Sequence, residues 1–185
     1  DNLDWGRPRK LGVSQAINFG TDPSIVVAAQ HSRSQQVAGL PSVEEWVCWQ
    51  VGILQQNTDR PIRVRPHPRS PLNVSMLPHN VIVERPEHVA NTYDNFNLRF
   101  DCHAIVNYNS GPGIQAAIAG VRPIVDMSSL AYPVSIGYAD IEQPYTIDRD
   151  LWLTQICHTE YTVDELRRGS WINRIAPALE STVVV

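Results

Sequence analysis

Ile25-Val26-Val27-Ala28-Ala29 is an uninterrupted apolar run closed by a polar loop, and it constrains the fold more than any other stretch of the chain. A strand apolar at every position has both faces buried, and such strands belong to parallel sheets covered by helices. Ala104-Ile105-Val106-Asn107-Tyr108 is expected to form a further strand, and shorter ones are expected at 61–65, 80–83 and 123–126. Helical segments fall between them. Ser42-Val43-Glu44-Glu45 has the form of a capping box, and Val43, Trp46, Val47 and Leu54 then share one helical face. Residues 89–100 are expected to be helical, and Ile114 to Ala119 forms a short helix closed by Gly120. Terminal helices are expected at 150–157 and 162–168, the second opened by the capping box Thr162-Val163-Asp164-Glu165 with Tyr161 and Leu166 as its hydrophobic staple. Strands alternating with helices predict an α/β fold, a Rossmann-like parallel sheet flanked by helices.

The 185 residues suffice for one such domain. The expected division is an arm over 1–23, an α/β domain over 24–147, and terminal helices with a tail over 148–185. A net charge of −4 argues against a basic nucleic-acid binder. Locally, Arg60, Arg63, Arg65 and Arg69 cluster, either as a solvated strand edge or as an anion site. Cys48, Cys102 and Cys157 lack metal-ligand spacing and read as free thiols in a reducing compartment, which points to the cytoplasm, or a host's cytoplasm for a viral protein. The histidines show no metal-binding pattern, and no apolar run is long enough to span a membrane. The chain opens at Asp1 in a polar stretch without a signal peptide and reads as a fragment or a processed piece.

Ligands of open α/β sheets bind beyond the carboxyl ends of the strands. There, Asn109-Ser110-Gly111-Pro112-Gly113 joins a strand to a helix. Gly111 and Gly113 let a ligand approach the backbone, and the helix start attracts anions through its orphan amides and macrodipole. The glycine spacing matches neither a Walker loop nor the dinucleotide fingerprint, so a plain capped turn stays an alternative. Arg65-Pro66-His67-Pro68-Arg69 ends the second strand, stiffened by two prolines. Arg65 and His67 suit a diphosphate, with Arg33 as a third donor; equally, Arg65 pairs with a carboxylate and His67 packs. Gln115 and Glu142 are the candidates to hold ribose hydroxyls.

A strand ending in Arg65-Pro66-His67-Pro68, then Tyr108-Asn109-Ser110 with glycines, Ala116-Ala117 and Gly120, resembles the C-terminal, donor-binding domain of GT-B glycosyltransferases. Thr58 to Pro68, Ala131-Tyr132-Pro133-Val134, Asp148 to Leu153 and Gly169-Ser170-Trp171 are similar to a phage and bacterial subgroup near phage DNA glucosyltransferases and capsular polysaccharide transferases. The resemblance covers roughly residues 24–175. It implies one half of a GT-B fold that binds a nucleoside-diphosphate sugar, a UDP-sugar first among them, as donor substrate rather than cofactor. The glycine turn and the Arg-Pro-His-Pro loop would cradle the diphosphate. Gln115 stands where the family has a ribose-binding glutamate, which leaves Glu142 as competitor. The acceptor, DNA or a polysaccharide, and the catalytic base would come with a second N-terminal domain or chain, so no catalytic residue is assigned. A sugar-nucleotide epimerase of the same fold and a non-catalytic nucleotide-binding or assembly module are the competing readings.

Overall fold

The computed structural model describes residues 3–15, 21–34, 39, 42–91, 96–97, 100–172 and 176. In chain order the elements are α1 (Arg7–Lys10), β1 (Ile25–Ala28), α2 (Val43–Gln55), β2 (Ile62–Arg65), β3 (Ile82–Val83), β4 (Glu87–His88), β5 (Phe96–Asn97), β6 (Ala104–Asn107), α3 (Gly111–Ala119), β7 (Arg122–Val125), α4 (Asp150–Cys157) and α5 (Val163–Arg167). Two compact units result: Gln15–Arg149, and Asp1–Ser14 together with Asp150–Val185.

The larger unit is an α/β fold built on a five-stranded parallel sheet in the order β3-β2-β1-β6-β7. Counting these strands alone in chain order, the sequence of neighbours is 3-2-1-4-5. The order therefore reverses between β1 and β6, where open α/β sheets form a crevice at the carboxyl edge.

Side chains alternate between the two faces of each strand. Ile25, Val27, Ile62, Val64, Ala104, Val106 and Ile124 pack with Val43, Trp46, Val47, Val51 and Leu54 of α2. Ser42 caps that helix, its Oγ accepting the Glu45 N–H at 3.0 Å, while the Glu45 carboxylate meets the Ser42 hydroxyl rather than its amide, so half of the expected capping box forms. On the opposite face Val26, Ala28 and Ile105 pack with Ala116 of α3, Cys102 and Val121. Gly120, at φ 87°, closes α3, and buried Arg149 donates to the Ala117 carbonyl at the same helix end.

β2 departs from the all-apolar pattern for a visible reason. The described part of the crossover from β3 to β6 holds the antiparallel β4–β5 pair and no helix. Arg63 and Arg65 alternate with Ile62 and Val64 and so lie on the face opposite α2, where both reach Glu84. The helix expected over 89–100 is thus a correction: Phe96–Asn97 is a strand paired with Glu87–His88, and Asn91 sits at φ 62°. The segment is rich in asparagine and aromatics, which favour turns and strands over helix. Residues 92–95 and 98–99 of that range lie outside the described residues.

In the smaller unit the lead-in contains α1 and is tied to the terminal helices. Arg7 pairs with Glu165 and donates from Nε to the Cys157 carbonyl at 3.1 Å, and the Asp4 N–H reaches His158 Nε2 at 3.1 Å. Arg7 and Lys10 are both ion-paired, Lys10 with Asp4. The capping box of α5 is complete, whereas Leu166 stays 50% exposed and makes a poor staple.

Leu54 is fully buried and its neighbour Ile53 is exposed. Leu54→Ala should lower unfolding stability by roughly 2–5 kcal/mol, as a core truncation does. Ile53→Ala should cost less than about 1 kcal/mol. Urea denaturation of both variants checks the core assignment.

Candidate functional site at the carboxyl edge

At the end of β6, buried Asn107 reaches both its neighbouring strand and the turn that follows. Its Nδ2 donates to the Ala28 carbonyl and to Ser110 Oγ, each at 3.0 Å, and its Oδ1 accepts the Ser110 N–H at 2.9 Å. Ser110 is thereby set as the N-cap residue of α3, which begins at Gly111, earlier than the sequence suggested. Ser110 spends its amide on Asn107, and Pro112 has none. Gly111 is the residue of this turn whose N–H points out of the helix start without a partner among the described residues.

The two glycines have different jobs. A Cβ on Gly113 would sit 2.8 Å from Val125 Cγ1 and 3.4 Å from Asn107 Oδ1, so this glycine lets α3 close on β7 and β6. A Cβ on Gly111 would meet nothing within 4 Å. The protein does not require a glycine there, so the space above it is open for a ligand.

Amide and hydroxyl groups continue across the switch point. Gln30, at the end of β1, donates from Nε2 to Asn109 Oδ1 at 3.1 Å and accepts the Asn109 N–H at 3.3 Å. Asn109 Nδ2 donates to Ser128 Oγ at 3.0 Å, and Ser128 Oγ donates to Asp126 Oδ1 at 2.7 Å. Asp126 is thus the carboxylate connected to the glycine turn.

The loops after β1 and β2 stand side by side. The His31 and His67 rings meet edge to face, with centroids 5.0 Å apart. Ser32 N–H and Ser70 Oγ join at 3.2 Å. Arg33 and Arg69 are exposed, whereas Arg65 is only 6% exposed and donates from Nε to Glu84 Oε2 at 3.3 Å. Burial pulls the Arg65 guanidinium below its ordinary range, and Glu84 opposes that shift. Arg65 therefore takes up the carboxylate pairing that its sequence context left open. Gln115 lies exposed on the second turn of α3.

Glu142 is a correction. After β7 the chain runs back along the edge strand, with Ile136 N–H donating to the Pro123 carbonyl at 2.9 Å. By residue 142 it has reached the amino edge, opposite the glycine turn. There Glu142 takes two Arg60 bonds of 2.8 Å and a Thr58 hydroxyl bond of 2.5 Å, which hold its carboxyl down at about 2. With Asn57, Thr58, Asp59 and Arg60 it lines an open depression of about 440 Å³. The carboxyl edge thus carries Arg33, His67, Asn109, Ser110, Gly111 and Gly113 and leaves Glu142 out.

Sequence reasoning passed over Gln30, Asn107 and His31. The signal for His31 was present: His31-Ser32-Arg33-Ser34 repeats as His67-Pro68-Arg69-Ser70. No family model and no curated protein matches this chain. Among the described residues no helix is long and apolar enough to cross a membrane, and no group of three or more His, Cys, Asp or Glu side chains is placed to hold a metal ion.

The glycine pair gives a direct contrast. Gly113→Ala should destabilise the fold by roughly 1–3 kcal/mol through overpacking against Val125. Gly111→Ala, with open space around it, should change stability by less than about 1 kcal/mol. Thermal or urea unfolding of the two variants measures the difference.

Proposed function

We propose that this chain is the donor-binding half of a GT-B-type glycosyltransferase and takes a nucleoside-diphosphate sugar, a UDP-sugar first among them, in the crevice between β1 and β6. The observation that carries this reading is the amino end of α3, which opens at the topological switch point with unobstructed space over Gly111. A diphosphate there would face the Gly111 N–H and the positive end of the helix dipole. The loops after β1 and β2, which carry Arg33 and His67, flank the same edge, and Arg33 is exposed. Arg65 braces this edge through Glu84 rather than serving as the first phosphate ligand. With Glu142 at the opposite edge, Asp126 becomes the carboxylate for the ribose hydroxyls, and Gln115 the alternative.

In the transfer reaction, negative charge grows on the departing diphosphate. Donors fixed where that charge appears lower the barrier, typically by about 3–4 kcal/mol for each. The acceptor, DNA or a polysaccharide, and the base that activates it would come from a second domain or chain. A non-catalytic nucleotide-binding or assembly module is the second reading. It is favoured by the thinness of the cradle, since the Ser110 amide is already spent on Asn107.

Calorimetry of the full chain with UDP and UDP-glucose separates donor binding from a pure assembly role. The donor reading predicts binding with a Kd below about 1 mM, near −4 kcal/mol or better. Gly111→Glu, which puts a carboxylate into the open space, should weaken it by at least about tenfold with little change in melting. No binding at millimolar ligand would leave the assembly module.

A further inference from the structure

Residues 46–58 contain no acidic, basic or histidine side chain, and neither do residues 70–78. The fold sets these two stretches side by side. The first holds most of α2, and the second holds a short 3-10 turn at Val74–Met76. Cys48 Sγ donates to the Met76 carbonyl at 3.2 Å, and the Asn73 N–H donates to Glu44 Oε1 at 3.0 Å, so the turn lies along the flank of α2. Val43, Val47, Val51 and Leu54 face the core, which leaves Trp49, Gly52 and Ile53 on the outer side of the helix. Trp49 is 55% exposed and Met76 50%, with Val74 and Ile53 exposed beside them. An uncharged strip that carries tryptophan and methionine has the composition of an interface core rather than of ordinary surface.

Gly52 gives the strip its relief. It stands inside α2, where glycine is a poor helix former. A Cβ added there would meet nothing within 4 Å, so no neighbour in the fold requires a glycine. The missing side chain leaves a notch, and exposed Trp49, three residues earlier, stands beside it on the same side of the helix. A two-fold axis over the middle of α2, between residues 50 and 51, would lay a second copy antiparallel on the first. Each Trp49 then faces Gly52 of the other copy, and a single axis makes both contacts. By the same register Cys48 stands opposite Ile53. Glu45, the last charge before the strip, stands opposite Gln56 rather than its own twin. Two chains of net charge −4 repel each other, and this strip lets them meet without setting like charges together. The antiparallel arrangement also brings opposite ends of the two helix dipoles together.

We propose that the outer face of α2, with the turn at Val74–Met76 beside it, docks a second copy of this chain, Trp49 of each copy seated over Gly52 of the other. Such a contact is closed, so association stops at a dimer. α2 is roughly 20 Å long, and the strip falls short of the about 800 Å² per partner of a standard stable interface, so the dimer is a weak one. The inference is independent of the donor reading, which concerns the carboxyl edge.

Sedimentation of the full chain from about 10 μM to about 1 mM tests this, with a monomer-to-dimer shift expected inside that range. Trp49→Ala should weaken the dimer at least about tenfold, as loss of a buried aromatic anchor does. Gly52→Leu separates a seated contact from a merely adhesive surface. It adds exposed apolar area and replaces a poor helix former with a good one, so melting should hold or rise. With the notch filled, association should nevertheless fall at least about tenfold. Should either variant fail to fold, NMR of the unmodified chain decides: the Trp49 indole N–H and the Gly52 amide should shift with concentration while Gly111 stays still. A chain that remains monomeric at about 1 mM overturns the inference. So does a dimer that Gly52→Leu leaves unchanged or strengthens, one that Trp49→Ala leaves unchanged, or growth beyond the dimer. Concentration-dependent shifts that spare Trp49 and Gly52 overturn it as well.

Discussion

Within three residues of the end of β6 the chain must stop being a strand and start a helix, at the place where the strand order reverses. Asn107 makes this possible. It is 1% exposed, and its carboxamide donates to the last carbonyl of β1 while accepting the amide of Ser110. A buried carbonyl or amide left without a partner costs about 1–3 kcal/mol, so one side chain satisfies two groups that the strand-to-helix switch would orphan. An aspartate would lack the donor, and a leucine would lack both functions. Asn107 places Ser110, Ser110 places the first turn of α3, and Gly113 lets that helix lie close against Val125. The open space over Gly111 is a consequence of these two constraints.

The second organising feature is how the fold spends its arginines. Arg60, Arg63, Arg65 and Arg69 look like one basic cluster along the chain, yet the sheet disperses them. Arg60 sits at the amino edge with Glu142, an exposed pair of the kind that contributes less than about 1 kcal/mol. Arg63 and Arg65 share Glu84 on the face opposite α2, where removing one partner of a buried pair typically costs about 3–5 kcal/mol. Only Arg69 of the four stays exposed at the carboxyl edge, where Arg33 joins it from the loop after β1.

Much of the scaffold was legible because local and global signals agree. β1 is apolar throughout, β6 is apolar up to Asn107, and both are central in the sheet. Ser42 and Thr162 cap helices through their side-chain oxygens, and Thr162 completes its capping box. What failed was set by long-range contacts that periodicity does not carry. Arg63 and Arg65 alternate with Ile62 and Val64, which marks a strand covered unevenly, but the missing cover only becomes apparent once β4 and β5 replace the expected helix. Glu142 was read into the wrong edge because the return path along β7 is a tertiary feature. The lead-in could not be assigned to the terminal helices from sequence, since Arg7 and Glu165 are distant in the chain. The duplicated His-x-Arg-Ser pattern was visible all along, and it acquires meaning only when its two copies end adjacent strands.

The central claim is that ligand recognition belongs to the carboxyl edge at the β1–β6 switch point. Backbone amide NMR of the full chain titrated with UDP-glucose tests it most directly. The account predicts shift changes at Gly111 and Gly113 together with Gln30 to Arg33 and His67, while Thr58, Arg60 and Glu142 stay still. Changes confined to Thr58, Arg60 and Glu142, or none at millimolar ligand, would contradict it.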